Sequence, residues 1–558
     1  MKFIGSVTNK LFQLKWISFS NTFILMALKI NRETVAAVSK PMFELYFYFT
    51  MEHKKLLLIF FVLASLASFG QILPVKPIAA GKSTFLGCAY SSAQALNFQN
   101  YWNQSTPENG GKWGSVEGTR GVMNWADMDA TYNQAKKYGI LIKEHTLIWG
   151  SQQPSWIGQL DTASQRKEID QWFSLLAARY QNIDYIDVVN EPLHNAPNGM
   201  LPWGATVKNV DYAKALGGAG KTGWDWILTS FRMARKYFPK SKLIMNEYNV
   251  INSSQTTQDY IKIIKLLKAD SLIDGIGEQA HAFTTYGTDA TILKANLDAL
   301  ATTGVPIYLT EMDIDGSTDL IQLTEMRRVF PVFWKHPSVK GITFWGFRVG
   351  LWRNDQKAYL INTIGAERPA LKWLRAYVND TLVNTQSITV AASDSSTIIT
   401  TKGASLNMVA KVLPVNTTIP NVTWSVTPTT LATIDQNGKL TALADGKVTV
   451  TALAWDGTGK KGTTVITLSY QTTGISERSV ADKIAVYPNP TVNGNFTIDG
   501  IESITQIEMV NLLGKKVMAF TNLNQSSLQI QVNVPKGIYV LNLFDGNQFY
   551  YKKIMIGN

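Results

Sequence analysis

Two short stretches carry residues suited to acid and base chemistry. Asn190-Glu191-Pro192 closes the apolar run Tyr185-Ile186-Asp187-Val188-Val189, and Thr310-Glu311-Met312-Asp313 closes Val305-Pro306-Ile307-Tyr308-Leu309. A run rich in β-branched and aromatic residues that ends in a polar pair reads as a buried strand delivering a carboxylate at its C-terminal end. Two such carboxyl groups suggest glycoside hydrolysis. In the retaining form of that reaction one attacks the anomeric carbon while the other, roughly 5 to 5.5 Å away, protonates the departing oxygen. One must be ionised and the other protonated at the same pH, so their surroundings have to separate their pKa values. Asp313 lies two residues after Glu311, on the same face of an extended strand, and His281 comes from the end of the adjacent candidate strand. A histidine N–H shared by the two carboxylates favours ionised Glu311, whose charge in turn keeps the proton on Glu191.

Strand ends that carry chemistry are what the open face of a (β/α)8 barrel provides. From about residue 71 to 380, strand-like apolar runs alternate with amphipathic segments, the pattern of a parallel α/β fold. The candidate strands are 85–90, 101–105, 141–148, 185–190, 243–247, 275–280, 307–311 and 341–346, with helices expected at 164–180, 224–238, 258–268 and 319–334. Polar and aromatic residues gather just beyond the strand ends. The second leads into Glu108-Asn109-Gly110-Gly111-Lys112, the third gives His145-Thr146-Leu147-Ile148-Trp149-Gly150-Ser151-Gln152, and the fifth ends in Asn246-Glu247-Tyr248-Asn249. The sixth ends in Gln279-Ala280-His281 and the eighth in Trp345, with Trp352 shortly after.

In this order the motifs resemble glycoside hydrolase family ten, whose members are mainly endo-β-1,4-xylanases, over about residues 80 to 380. The resemblance implies that Glu191 is the acid/base and Glu311 the nucleophile. It implies a glycone-side sugar-binding set of Glu108, Asn109 and Lys112, a second set of His145, Trp149 and Gln152, and the pair Gln279 and His281 near the nucleophile. Trp345 and Trp352 match its aromatic walls, and it supports Asn190 as the partner of the sugar 2-hydroxyl. Gly150 departs from the pattern, standing where many members carry a second histidine. The expected substrate is xylan or a xylo-oligosaccharide, hydrolysed by a monomer without metal or cofactor. A carbohydrate-binding surface protein on a degenerate barrel has no need of both glutamates. A β-1,4-glucan differs by a hydroxymethyl group, which a tight subsite built by Lys112, Gln152 and Trp345 would exclude by bulk.

At 558 residues the chain exceeds one ordinary core, and 45% hydrophobic with 17% charged residues describes folded protein. The net charge of +12 comes without a dense basic block interleaved with aromatics, which argues against nucleic acid as a partner. Cys88 stands alone, so no internal disulfide is possible, and no Cys/His cluster has zinc spacing. Residues 51–70, Met51-Glu52-His53-Lys54-Lys55 followed by an apolar stretch, read as a secretory signal peptide too short for a stable membrane span. Residues 1–50 are then expected to come from a start codon placed too early.

After residue 381 helical periodicity gives way to short alternating runs rich in Thr and Val. Residues 381–472 resemble the bacterial Ig-like domains of group two, a β-sandwich expected to act as a spacer. From 473 to 558 the segments Ile484-Ala485-Val486-Tyr487-Pro488-Asn489-Pro490 and Gly537-Ile538-Tyr539-Val540 resemble the C-terminal sorting domain of type IX secretion substrates. That resemblance implies the secretion machinery as a partner, and release or attachment at the surface of a Gram-negative bacterium. The fold class expected is therefore α/β, a (β/α)8 barrel followed by two small all-β sandwiches.

Overall fold

Eight parallel strands close on themselves in the computed structural model, which describes residues 76–201, 205–469, 471 and 483–557. They are β1 (Phe85–Tyr90), β2 (Gln104–Pro107), β3 (Leu141–Ile148), β4 (Tyr185–Asn190), β5 (Lys242–Glu247), β6 (Gly275–Glu278), β7 (Ile307–Met312) and β8 (Val339–Phe344). Each pairs with the next, and β8 returns to β1 with Phe85 opposite Gly341. The signal peptide and the N-terminal extension fall outside the described residues.

Two strands are displaced from expectation: β8 lies at 339–344 rather than 341–346, and β2 at 104–107 rather than 101–105. Tyr101 and Trp102 are apolar enough to suggest strand, but they are fully buried among Phe344 and Phe347, with Trp102 centroids 5.3 and 5.4 Å from those rings. Pairing to β1 begins only at Gln104, opposite Gly87. Side-chain burial outside the barrel wall had imitated a strand.

Four of the barrel helices start where a short polar side chain satisfies free backbone N–H groups. Asp161 caps Thr162–Arg179, Ser253 caps Ser254–Ala269, Asp289 caps Ala290–Ala301, and Thr318 caps Asp319–Trp334. Their apolar faces join one core around the barrel.

Inside, the barrel is layered. Its N-terminal end is plugged by Phe85, Tyr185, Ile244 and Tyr308, with the Phe85 ring 5.5 and 6.0 Å from the two tyrosine rings. Gly341 makes room for the plug, since a Cβ there would stand 2.1 Å from Phe85 Cζ. Above it lies a polar layer in which Lys143 Nζ and His145 Nδ1 meet Asp187 Oδ2 at 2.7 and 2.9 Å. The strand ends above that layer form the mouth.

Residues 387–468 form two four-stranded sheets around a separate core that includes Trp424, Val450 and Leu440. Arg327 Nη1 on the barrel helix Asp319–Trp334 donates to Trp455 O of this sandwich at 3.2 Å, and Ile419 is buried with the barrel core. A three-stranded and a four-stranded sheet follow between Ala485 and Ile556, around a third core. Among the described residues no helix is long and apolar enough to cross a membrane.

Candidate active site

β4 ends at Asn190, and Glu191 turns the chain out of the barrel with a left-handed φ of 55°. That conformation is unfavourable for a side chain with a Cβ, and it is held by a dense set of partners. Glu191 N donates to Asn246 O at 2.7 Å, Asn195 N donates back to Glu191 O at 2.7 Å, and Leu193 N donates to Glu247 Oε2 at 2.7 Å. The turn aims the Glu191 carboxyl into a cavity of about 370 Å³ at the mouth of the barrel.

Glu311 enters the same cavity from β7. An amide chain joins the two acids. Gln279 Nε2 donates to Glu191 Oε1 at 2.9 Å and lies 3.4 Å from Asn190 Oδ1. Asn246 Nδ2 donates both to Asn190 Oδ1 at 2.8 Å and to Glu311 Oε1 at 2.7 Å. On its other oxygen Glu191 accepts from Trp149 Nε1 at 2.9 Å and Asn195 Nδ2 at 2.7 Å.

The electrostatics of the two carboxyls diverge. Burial pushes Glu191 up, the charges of Glu247 and Glu311 add to it against the Gln279 and Trp149 hydrogen bonds, and its pKa is raised to about 7. Burial acts on Glu311 in the same sense, yet the neighbouring imidazoles and Lys143 outweigh it and bring the pKa down to about 2. Of those imidazoles, His145 is itself pushed down by burial, against the charge of Glu311 and its contact with Asp187. His281 is pushed up. Burial alone would lower it, but Asp313 and Glu311 raise its pKa to about 9. Protonated, it spans the two carboxylates, Nδ1 lying 2.8 Å from Asp313 Oδ2 and Nε2 3.3 Å from Glu311 Oε2. Asp313 also accepts from Ala282 N at 2.6 Å and from Trp352 Nε1 at 3.1 Å, so it orients both His281 and the exposed indole.

The other side chains named from the sequence divide by position. Lys112, His145, Trp149, Gln152, Asn190, Gln279, His281, Trp345 and Trp352 line the cavity with the two acids. Lys112 Nζ donates to Gln152 Oε1 and Asn109 Oδ1, both at 2.9 Å, and stands 5.3 Å from the Trp149 ring centroid. Asn109 therefore acts on the cavity through Lys112. Glu108 sits half-buried beside Ser91, outside the lining, with burial raising its pKa. Trp345 packs edge-on to His145 at 5.2 Å, and Trp352 lies 4.7 Å from the His281 ring.

Sequence reasoning assigned no role to Asn246, Tyr248, Asn195 and Phe283. Asn246 and Tyr248 close β5 by the same pattern that marked Asn190, so a signal existed. Asn195 stands on a loop and Phe283 on the short helix Ala282–Thr285, and nothing in their spacing announces them.

Residues 77–377 match Glycosyl hydrolase family 10, residues 384–465 the Bacterial Ig-like domain (group 2), and residues 485–557 the Secretion system C-terminal sorting domain. The chain is 42% identical over 287 residues to Endo-1,4-beta-xylanase B of Cellvibrio japonicus, a match covering 51% of this chain and 44% of that protein. It is 31% identical over 335 residues to an Endo-1,4-beta-xylanase of Agaricus bisporus, covering 57% of this chain and 94% of that one. The match thus spans under half the length of the first relative and nearly all of the second. A solved structure, GH10 from Paenibacillus barcinonensis, is similar with a TM-score of 0.47 at 23% identity, over 55% of this chain and 98% of that chain.

Proposed function

Because the chain belongs to glycosyl hydrolase family 10, we propose that it is a secreted, retaining endo-β-1,4-xylanase that cuts internal bonds of xylan through a glycosyl-enzyme intermediate. The observation that carries this reading is the pair of buried carboxyls facing one cavity, one with its pKa at about 2 and the other at about 7. Near pH 5 the first is ionised and the second protonated, the division of labour that double displacement requires.

In the first step ionised Glu311 attacks the anomeric carbon while Glu191 gives its proton to the departing oxygen. Protonated His281 holds Glu311 in its ionised form, and Asp313 holds His281. Bond formation removes the charge on Glu311, so Glu191, now a carboxylate, accepts a proton from the water that releases the sugar. Asn190 lies at the centre of the amide chain between the two acids, a position suited to the 2-hydroxyl of the sugar under attack. Lys112 and Gln152 offer polar groups to the glycone side, with Trp345 and Trp352 as flat faces for sugar C–H surfaces. Asn109 and Glu108 support that side from behind.

The domains assigned are a barrel at 71–380, an Ig-like spacer at 381–472 and a sorting domain at 473–558. The tail match supports export by a type IX system from a Gram-negative cell, after removal of a signal peptide at 51–70. Assay of the chain on xylan and on cellulose, following the anomeric configuration of new ends, tests the reading. Xylo-oligosaccharides of retained configuration are expected. Inverted products, or cellulose cleaved as fast as xylan, would overturn it.

A further inference from the structure

One donor to Glu191 comes from outside the strand ends. Asn195, on the loop leaving β4, donates through Nδ2 to Glu191 Oε2 at 2.7 Å and lines the cavity. The Tyr248 hydroxyl flanks the same amide. The loop reaches this far because residue 150 has no side chain. Gly150 N donates to Asn195 O at 2.8 Å, and a Cβ on residue 150 would stand 2.4 Å from the carbonyl oxygens of both Asn195 and Ala196. No Cβ tolerates such an approach to backbone oxygen. The bare backbone at 150 and the amide at 195 are therefore two parts of one arrangement.

We propose that Asn195 is a positioning residue for Glu191, brought into place by Gly150, and that its amide favours the carboxylate of Glu191 over the carboxylic acid. This rests on Glu191 being the acid/base. A hydrogen bond donated to a carboxyl oxygen stabilises the charged form. It works against Glu247 on β5 and Glu311 on β7, whose charges oppose ionisation of Glu191. Lys112 beyond β2, His194 on the same loop and Tyr248 after β5 also couple to Glu191, and His145 and His281 share its cavity. Asn195 keeps the acid strong enough to release its proton in the first step, and holds the carboxylate in place for the second.

The test uses the full chain carrying ¹³C-labelled glutamate carboxyls, with the Glu191 signal assigned by its loss in Glu191→Gln. Its titration midpoint and the alkaline limb of kcat/KM on xylan are measured for the wild type, Asn195→Ala, Asn195→Asp and Gly150→Ala. Loss of the donor should raise both by about one pH unit in Asn195→Ala. Asn195→Asp, which puts a carboxylate where the donor stood, should raise them further. Gly150→Ala should move them upward with Asn195 still present. A merely structural role gives no such order. Midpoints in folded Asn195→Ala and Asn195→Asp that coincide with the wild type would overturn the proposal while leaving the xylanase reading intact. A chain inactive on xylan whose Glu191 midpoint still moves in this order would remove that reading and keep the Asn195 contact.

Discussion

Glu191 and Glu311 are the same side chain, both buried, at the ends of two strands of one barrel, and their pKa values lie at about 7 and about 2. Burial pushes both upward, so burial does not distinguish them. What differs is the company. Glu311 faces His145 and also His281, whose proton is secured by Asp313 on the far side of the ring, with Lys143 in the layer beneath. Glu191 faces neutral donors, Trp149, Asn195 and Gln279, and two like charges. Cations against one acid, and neutral donors with two like charges against the other, assign opposite protonation within one cavity.

The largest test of this asymmetry is removal of the ionised member. Glu311→Ala removes the proposed nucleophile, and kcat on xylan should fall by roughly 10⁴-fold or more. Initial rates on xylan check it, and a variant within tenfold of the wild type would leave the pair without its division of labour. Glu191→Ala should cost roughly 10² to 10⁴-fold on xylan, the range for a lost general acid. On an aryl xyloside whose leaving group departs without a proton, the same variant should form the glycosyl-enzyme quickly and then stall. A burst followed by a slow steady rate is expected, where Glu311→Ala shows neither.

The pH profile reads both environments at once. With Glu311 acting ionised as proposed, kcat/KM should rise as pH increases through about 2, and with Glu191 acting protonated it should fall as pH increases through about 7. His281→Gln removes the cation beside Glu311 alone. The acid limb should then move upward by roughly one to two pH units while the alkaline limb stays near its wild-type position. Equal displacement of both limbs would mean that His281 acts on the cavity as a whole.

The barrel and both acids were legible because strand-like apolar runs and polar strand ends follow the same periodicity that builds the mouth. Asp313 was legible because it lies two residues after Glu311 on the same face, and His281 because it closes the adjacent strand. β2 was misplaced by three residues at its start because Tyr101 and Trp102 are buried against Phe344 and Phe347 behind the wall, and burial of that kind carries no period of its own. Glu108 was named with the lining residues and lies beside it, because distance from a strand end says nothing of which way the following turn points its side chains. Asn195 was invisible for a third reason. It reaches the acid through a contact between two loops, and half of that contact is the absence of a side chain at Gly150.

The smallest expected effect on chemistry comes from the opposite end of the barrel. Phe85 fills the plug between Tyr185 and Tyr308, beneath the layer where Lys143 and His145 meet Asp187. Phe85→Ala should cost about 3 to 5 kcal/mol of stability, the usual range for emptying a packed aromatic site. Of the groups that set the two carboxyls apart, Glu247, His281, Gln279 and Asn195 lie at the mouth, and His145 and Lys143 are held by Asp187 in the layer above the plug. Their geometry does not depend on the plug as long as the barrel is closed. Thermal unfolding should therefore shift to lower temperature while kcat/KM, measured well below the new transition, and both limbs of its pH profile stay near the wild type. Limbs that move toward each other in this variant would show that the separation of the two carboxyls is sustained by the packing of the whole barrel, not by the few groups that touch them.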